Sequence, residues 1–325
     1  MKSLILFLFV ISSHLALAQI YACTDVLAKN FNPNATINDG SCKYKKVKIK
    51  PIFSSELSAT VHETSGLIFW KEKLWTVNDD RDTNLYQFDT VGNNLEAILL
   101  KDVLNKDWEA LAQDSSHIFV GDFGNNLSGN RQDLHILKID KQSILENSPK
   151  IDTIAFSFEN QNNFEAQKPN KANFDCETLL VTQDSIYIFT KEWKAKKTSC
   201  YVLPKNSGIY QAKFKASLDV NGLITGGTIS EQQKIIVLCG YSKTLQPFLY
   251  LLYDYAGTDF FSGNRRKIKV RLPFHQIEGI ATNDGLRYFL TNEAFQRKPF
   301  INIKQQLHAV DLSVFIKLQL ANSRN

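Results

Sequence analysis

Three glutamates of this 325-residue chain begin short segments of the same form. Glu109 begins Glu-Ala-Leu-Ala, Glu177 begins Glu-Thr-Leu-Leu and Glu278 begins Glu-Gly-Ile-Ala. A short polar turn and a second apolar run follow each segment. Calcium takes about six to eight oxygen ligands, and carboxylates are prominent among them. If the fold gathers Glu109, Glu177 and Glu278, the three side chains predict a calcium site.

The second apolar runs end in a further set of polar side chains. In an antiparallel pair, the start of one strand and the end of the next lie at the same end of the sheet. We therefore expect a ligand-binding face that joins the glutamates to Asn78, Asp79, Asp122, Glu192, Asn292 and Glu293. His62 and His275 precede first strands and are further candidates for this face.

Several carboxylates around one centre repel one another and raise their own pKa values unless positive charge compensates. A metal ion or a basic ligand is one source of that charge. The other source of positive charge is a set of basic side chains in the same loops, namely Arg81, Arg131, Lys191 and Arg297.

Familiar catalytic motifs do not occur: the sequence has no G-x-S-x-G, no H-E-x-x-H, no phosphate-binding glycine loop and no paired C-x-x-C. Two functions are therefore compared. One is a binding scaffold, with calcium as a stabilising ion. The alternative is a calcium-dependent hydrolase of lactones or phosphoesters, in which a carboxylate acts as base.

A repeated unit must position these side chains. Units start at Ser65, Glu109, Glu177, Gly227 and Glu278, at intervals of roughly 44 to 68 residues, which is typical of propeller blades with one insertion. Each continues into a third strand, and most into a fourth. The 22 Phe and 11 Tyr favour strands. The sequence predicts an all-β, five-bladed β-propeller over residues 44–325.

A six-bladed propeller is the alternative, because the longest interval has room for another blade. Residues 159–174 within that interval are polar and rich in Asn, which predicts a loop instead. A strand at Val47–Phe53 is expected to pair with Leu307–Asp311 in the last blade. That pairing joins the two ends of the chain and leaves no open edge.

The first 18 residues have the pattern of a signal peptide. Lys2 precedes an apolar run at 4–11, and Ala16-Leu17-Ala18 matches the small-x-small cleavage site. The run is shorter than the roughly 20 residues of a membrane-spanning helix. We expect cleavage after Ala18 and export to the periplasm, the cell surface or the medium.

Export to an oxidising compartment predicts that Cys23 and Cys42 form a disulfide that closes a small module over residues 19–43. Cys176, Cys200 and Cys239 are expected as buried thiols, with a Cys176–Cys200 bridge as the alternative. The module carries oxygen-bearing side chains that suit either a calcium ion or Asx-turns, at Asp25, Asn32, Asn34, Asn38 and Asp39.

The composition excludes several classes of protein. With 43% apolar and 22% charged residues, the chain is neither disordered nor a multi-span membrane protein. A net charge of +5 is too small for a nucleic-acid-binding surface. We expect a monomer without a membrane span whose partner is a small molecule, a glycan or a protein.

Two regions resemble known families. Residues 23–42 resemble the CTDxxAxNYNPxAxxDDGSC element of secreted Bacteroidota proteins, with Phe31 in place of Tyr and Asn38 in place of the first Asp of DDG. Three motifs resemble the DWEDIA, GDIGDN and EGIA signatures of secreted propellers, and they are Asp107–Ala112, Gly121–Asn126 and Ile277–Ala281.

These propellers include the gluconolactonase and regucalcin-like proteins, the esterase-like phytase-type domains and the SdiA-regulated type. The resemblance implies a propeller over about residues 60–315. In lactonase-like members it implies a metal bound by a Glu, an Asn and an Asp. One architecture carries hydrolases, lactonases and binding scaffolds, so the resemblance indicates the fold more than the reaction.

Overall fold

The computed structural model describes residues 19–316, so the predicted signal peptide lies outside the described residues. Within that range the protein is nearly all β, as predicted. The N-terminal module contains a short parallel pair, β1 (Tyr21–Ala22) and β2 (Ile37–Asn38). No helix in residues 19–316 is long and apolar enough to cross a membrane.

The next elements are β3 (Val47–Ile49), β4 (Phe53–Glu56) and a 3-10 helix (Ala59–Val61). A four-stranded antiparallel sheet follows, made of β5 (Thr64–Trp70), β6 (Lys73–Asn78), β7 (Asn84–Phe88) and β8 (Glu96–Leu99).

An eight-stranded sheet follows, and it has two antiparallel halves. The first half is β9 (Trp108–Gln113), β10 (His117–Asp122), β11 (His135–Asp140) and β12 (Ile151–Phe158), with the helix α1 (Lys141–Leu145) between β11 and β12. The second half is β13 (Cys176–Val181), β14 (Ser185–Thr190), β15 (Lys197–Pro204) and β16 (Gly208–Asp219). Parallel pairing of the outer strands β12 and β16 joins the halves.

Two more sheets complete the described chain. One consists of β17 (Leu223–Ser230), β18 (Ile235–Tyr241), β19 (Pro247–Tyr253) and β20 (Asn264–Val270), with β3 added beside β20. The other joins β21 (Ile277–Thr282), β22 (Arg287–Asn292), β25 (Gln306–Asp311) and β4, while β23 (Phe295–Arg297) and β24 (Ile301–Ile303) form a separate hairpin.

The first strands of these units contact one another in a closed cycle, which runs β5, β9, β13, β17, β21 and back to β5. An apolar cluster fills the gap between each unit and the next; for example, Phe119 packs with Ile188 in one gap and Leu249 with Leu290 in another. Burial of these faces drives the units together. The fold is therefore propeller-like, with its sheets arranged around a central channel.

The strand predicted over Val47–Phe53 is wrong as a single element. Val47–Ile49 pairs in parallel with β20, whereas Phe53–Glu56 pairs with β25. Pro51 separates the two segments, because proline lacks the N–H of a strand ladder and restricts the residue before it. β4 begins at Phe53, the last residue of the predicted range, and its pairing with β25 still joins an early and a late segment of the described chain in one sheet.

The N-terminal module contains the predicted disulfide between Cys23 and Cys42. Its polar side chains form Asx-turns, in which an oxygen of residue i accepts the N–H of residue i+2. The acceptors are Asp25, Asn32, Asn38 and Asp39, and the donors are Leu27, Asn34, Gly40 and Ser41. The hydrogen bonds thus support the turn interpretation of this segment.

The module is docked on the outer strands of the β17–β20 sheet. Thr24 Oγ1 and Asn38 Nδ2 donate to Oδ2 of Asp254, at 3.1 and 2.7 Å. Tyr253 OH donates to Oδ2 of the buried Asp25 at 2.6 Å.

Elsewhere in the described chain, Cys176, Cys200 and Cys239 are buried free thiols, so the alternative Cys176–Cys200 bridge is wrong.

Candidate functional site

β-Bulges direct the three glutamates toward the centre of the ring. Glu109, Glu177 and Glu278 each fall at a register shift in the pairing of a first strand with its second strand. A bulge inserts one extra residue and turns its side chain out of the regular alternation. The bulge places each glutamate at the start of an inner strand, next to the channel.

Thr225 lies at the corresponding bulge of β17, between Ile224 and Gly226. The fourth unit therefore begins two residues before Gly227, its predicted start. Residues 225–227 are all small, so the sequence allows a start at 225 or at 227. Only the pairing of β17 with β18 decides between the two starts. Thr225 thus occupies the bulge position that a glutamate holds in three other units, and its hydroxyl donates to the carbonyl oxygen of Ile277.

The residue that follows a second strand also reaches the channel. Asp79, Lys191 and Glu293 directly follow β6, β14 and β22, and Tyr241 has the matching register in β18. Successive side chains of a strand point to opposite faces. The residue before each of them therefore points between the sheets instead of into the channel.

These side chains line a cavity of about 120 Å³ at one end of the channel. Its lining contains five carboxyl groups and one ammonium group, with amide and aromatic side chains around them. The lining residues are Ser65, Asp79, Glu109, Asn126, Asn170, Glu177, Lys191, Trp193, Tyr241, Gln276, Glu278 and Glu293. We call this the acidic cavity. A larger cavity of about 650 Å³ lies at the opposite end of the first strands, where Phe69 and Thr282 line it.

Lys191 supplies the ammonium group in the acidic cavity. Its Nζ lies 2.9 Å from Oε1 of Glu177, and both side chains are almost fully buried. The same Nζ lies 4.9 Å from the ring centroid of Trp193 and 5.6 Å from that of Tyr241. Burial lowers the pKa of Lys191, but its acidic neighbours, of which Glu177 is the strongest, together outweigh burial and hold that pKa well above its usual range.

The carboxyl groups resist ionisation. Desolvation raises the pKa of Asp79 to about 8, and repulsion from Glu63 and Glu293 acts in the same direction. Desolvation likewise raises the pKa of Glu278 to about 8, although Lys191 opposes the shift. The pKa values of other buried members, such as Glu109, are raised for the same reason. Without a compensating cation, several of these acids hold their protons near neutral pH.

Three oxygens of the acidic cavity have no hydrogen-bond partner although they are buried. They are Oε2 of Glu177, Oε2 of Glu278 and Oδ1 of Asp79. A buried polar atom without a partner costs about 1–3 kcal/mol. These atoms are therefore acceptors that a bound molecule can satisfy.

The loop after β10 holds Glu109 against a second acid. A Cβ added at Gly124 would lie 2.3 Å from Asp107 Oδ2 and 2.7 Å from Glu109 Oε1, so the loop can approach these groups only because residue 124 is glycine. Desolvation and the nearby Asp175 raise the pKa of Asp107 to about 6. The Gly121–Asn126 motif thus builds one wall of the acidic cavity.

Several predicted site residues lie outside the acidic cavity and hold its walls. Asp122 accepts a hydrogen bond from Arg131 Nη2 at 2.7 Å, and Glu192 accepts one from Ser199 Oγ at 2.5 Å. Asn78 donates to Thr60 O at 2.9 Å. Of the predicted basic side chains, Lys191 and Arg131 pair with site acids, whereas Arg81 pairs with the exposed Asp80.

Asn292 orients a buried histidine next to the closing strand β4. Its Nδ2 donates to the carbonyl oxygens of Glu293 and Lys304, so its Oδ1 accepts from His308 Nε2 at 2.8 Å. Burial lowers the pKa of His308 to about 3, which keeps the ring neutral. Nδ1 of His308 therefore accepts from Ser54 Oγ at 2.7 Å. Asn292 thus ties β22 to β25 and, through His308, to the outer strand β4.

The two candidate histidines do not line the acidic cavity. His62 has a side chain that is 56% exposed, with Nε2 3.7 Å from Glu63 Oε2. His275 Nε2 bonds to Gln306 Oε1 at 3.1 Å, and its ring packs against His308. The predicted residues that the fold brings together are Asp79, Glu109, Glu177, Glu278 and Glu293.

Sequence reasoning missed the amide and aromatic part of the cavity. Asn170 comes from the predicted loop at 159–174, which contains no strand. Asn126 ends the Gly121–Asn126 motif, and Trp193 follows the end of β14. The sequence signals were the density of Asn in that loop and a Trp two residues after Lys191. Neither signal indicates which side chain faces the channel.

The described residues contain no group of three or more His, Cys, Asp or Glu side chains arranged to hold a metal ion. Glu109, Glu177 and Glu278 nevertheless line one cavity, and the calcium site predicted for them stays a prediction. A calcium ion here would take further oxygens from the same lining, where the amides of Asn126, Asn170 and Gln276 are available.

Comparison with known proteins gives matches among solved structures, where 451 chains are similar. A gluconolactonase from Xanthomonas campestris is 9% identical, with a TM-score of 0.43, and the match covers 81% of this chain and 97% of that one. A DUF4623 family protein from Bacteroides eggerthii is 12% identical, with a TM-score of 0.44, and the match covers 80% of this chain and 57% of that one.

A chain of the mitotic checkpoint complex is 9% identical, with a TM-score of 0.40, and the match covers 84% of this chain and 98% of that one. No family model and no curated protein sequence matches the chain. At these identities and TM-scores the similarities do not bear on function.

Proposed function

We propose that the protein is an exported, five-bladed propeller that serves as a binding scaffold and holds a small cationic ligand in the acidic cavity. The five-bladed arrangement is supported by the closed cycle of the first strands β5, β9, β13, β17 and β21. Export is supported by the leader pattern in residues 1–18 and by the Cys23–Cys42 disulfide.

The observation that carries the ligand-binding role is the pair of unpartnered carboxyl oxygens. Oε2 of Glu177 and Oε2 of Glu278 are buried, lack hydrogen-bond partners and belong to residues that line the same cavity. Folding normally leaves few buried polar atoms unsatisfied. With Oδ1 of Asp79 there are three in one small cavity, which is typical of a site that a ligand completes.

The charge of the lining selects the sign of the ligand. Five carboxyl groups face a single ammonium group, so a cation is attracted and an anion is repelled. A bound cation also favours the ionised form of acids that otherwise hold their protons. Calcium is one candidate for this cation, with amide and water oxygens completing its coordination.

Thermal unfolding of the secreted, mature protein tests the binding role. The protein is dialysed against chelator, and then Ca²⁺ or an organic ammonium salt is added. At a concentration of 100 times its dissociation constant, a ligand of the folded state stabilises the protein by about 2.7 kcal/mol. We expect this gain with at least one cation and not with sodium acetate at equal ionic strength.

The paired variant Glu177→Gln/Glu278→Gln should lose the gain, whereas Glu96→Gln/Glu231→Gln, with two exposed acids, should keep it. Failure of every cation to stabilise the wild type would contradict the binding role. Hydrolysis of a lactone or a phosphoester by the calcium-loaded protein would overturn a purely binding function.

A further inference from the structure

We propose that the cation held in the acidic cavity is the primary ammonium group of a small organic amine. The inference rests on the proposed function, because it assumes that the cavity binds a cation and names its chemical class. It is carried by four arguments: the environment of Lys191, the number of free acceptors, the length of the contacts that an ammonium group makes and the size of the cavity.

The environment of Lys191 shows that the cavity accommodates an alkylammonium group. Nζ of Lys191 is bonded to Glu177 Oε1 at 2.9 Å and lies within 6 Å of the ring centroids of Trp193 and Tyr241. Charge-assisted hydrogen bonds together with aromatic faces are the usual means by which proteins bind ammonium groups. The same lining can therefore receive a second group of this kind.

The number of free acceptors matches an ammonium group. Oε2 of Glu177, Oε2 of Glu278 and Oδ1 of Asp79 are buried and unpartnered. A primary ammonium group has three N–H donors and no acceptor. Three acceptors for three donors leave no polar atom of this set unsatisfied.

The longer reach of an N–H···O contact favours an ammonium group over a bare metal ion. Calcium draws its oxygen ligands to within about 2.3–2.6 Å. An N–H···O contact to a charged acceptor is longer, at about 2.7–2.9 Å, and it joins oxygens that lie farther apart. The described residues hold no three acids arranged for a metal ion, and this condition does not apply to hydrogen bonding.

The size and remaining lining of the cavity limit the rest of the ligand. A volume of about 120 Å³ equals roughly four water molecules at about 30 Å³ each, which is enough for an amine of a few heavy atoms. The amide side chains of Asn126, Asn170 and Gln276 can bond a hydroxyl or carbonyl group on the same molecule. The ligand class is therefore a short amine with one more polar group.

Isothermal titration of the mature protein with ethanolamine tests the inference. Ethylene glycol is the neutral control of nearly the same shape, acetate is the anionic control and CaCl₂ is the metal control. We expect saturable binding of ethanolamine and no binding of glycol or acetate. Repeating the titration in buffers of different ionisation enthalpy should show proton release, because the bound cation ionises the protonated acids.

Variants locate the binding. Glu278→Gln keeps the shape of the side chain and removes its charge, and we expect it to weaken ethanolamine binding at least tenfold. Asp79→Asn should act in the same direction and serves if the first variant does not fold. Glu231→Gln changes an exposed acid that lines the cavity at the opposite end and should leave the affinity unchanged.

Each remaining outcome overturns a defined part of the proposal. Binding of Ca²⁺ without binding of ethanolamine would overturn the ammonium assignment and leave the cation-binding role intact. Tighter binding of a lysine-containing tripeptide than of ethanolamine would overturn the assignment to a small molecule. Equal affinity in Glu278→Gln and wild type would remove the site from this cavity, and failure of every cation would contradict the proposed function itself.

Discussion

Nζ of Lys191 lies 2.9 Å from Oε1 of Glu177, and the two side chains are 6% and 1% exposed. The pair places a full positive charge among the buried acids of the acidic cavity. It also uses only one oxygen of Glu177, so Oε2 stays available as an acceptor. Lys191 thus partly neutralises the cavity without filling it.

Lys191→Met should destabilise the protein strongly. Removing one partner of a buried ion pair typically costs about 3–5 kcal/mol, because the other charge is left uncompensated. The double variant Lys191→Met/Glu177→Gln should recover a large part of this loss. Urea unfolding at neutral pH measures both changes in the free energy of unfolding.

Lys213→Met is the matched control for that substitution, because Lys213 pairs with Glu159 at 3.4 Å with a side chain that is 60% exposed. An exposed pair contributes about 0–1 kcal/mol. If Lys191→Met were no more harmful than Lys213→Met, Lys191 would not be the compensating charge of the buried acids.

Stability should fall as the pH rises from about 4 to about 8. Asp79 and Glu278 have ordinary pKa values of 3.8 and 4.5, and burial raises both to about 8. These two acids therefore bind more protons in the folded state than in the unfolded state in this window, whereas His308, whose pKa burial lowers from 6.5 to about 3, acts in the opposite direction below about pH 6.5. Asp79 and Glu278 stabilise the folded state fully at pH values below their unfolded-state pKa values. This stabilisation is lost as the pH rises through about 8, by up to about 1.4 kcal/mol per pH unit for each group.

Urea unfolding in buffers free of amines and divalent cations measures this pH slope. Glu278→Gln should flatten it, because the amide does not titrate. Asp114 and Asp133 act in the opposite direction and below this window. Hydrogen bonds from lysine help to lower their pKa values to about 2. A wild-type protein with equal stability at the two ends of the window would contradict the prediction.

Gly124→Ala should distort the wall of the acidic cavity. The added Cβ would meet Asp107 Oδ2 at 2.3 Å and Glu109 Oε1 at 2.7 Å. Overpacking of this kind costs about 1–3 kcal/mol and moves one of the two acids. Thermal unfolding and the affinity for the stabilising cation should both decrease.

Gly257→Ala is the comparison for Gly124→Ala, since a Cβ there has no neighbour within 4 Å and only its positive φ of 52° disfavours alanine. We expect it to cost no more than about 1–2 kcal/mol and to leave cation affinity unchanged. Unchanged cation affinity in Gly124→Ala would show that the position of Glu109 does not matter for binding.

Asp254→Ala should loosen the N-terminal module. The substitution removes the acceptor of Thr24 and Asn38, while the bond from Tyr253 to Asp25 persists. Two solvent-exposed hydrogen bonds contribute about 1–2 kcal/mol together. Native-state proteolysis of residues 19–43 should become several times faster, with little change in global unfolding.

The exposed Asp152, on β12, is the control position for this experiment, and Asp152→Ala should leave the proteolysis rate unchanged. Equal cleavage rates in Asp254→Ala and wild type would mean that the module is held by its other contacts alone.

The candidate site was predicted in part. The glutamates were found because each begins an apolar strand, and a strand start is visible in the local pattern of the sequence. The sequence did not show which of two neighbouring polar residues lines the cavity. Asn78 and Asp79, or Asn292 and Glu293, are adjacent and polar, yet Asp79 and Glu293 line the cavity while Asn78 and Asn292 do not.

Side-chain type and short spacing were enough to predict the all-β composition, the Cys23–Cys42 pairing and most of the repeated strand starts. Tertiary structure alone decided which side chains meet. The bulges at Glu109, Glu177 and Glu278 set the register of the inner strands, and Lys191 enters from a different strand end. Register depends on pairing between distant segments, so no local pattern specifies it.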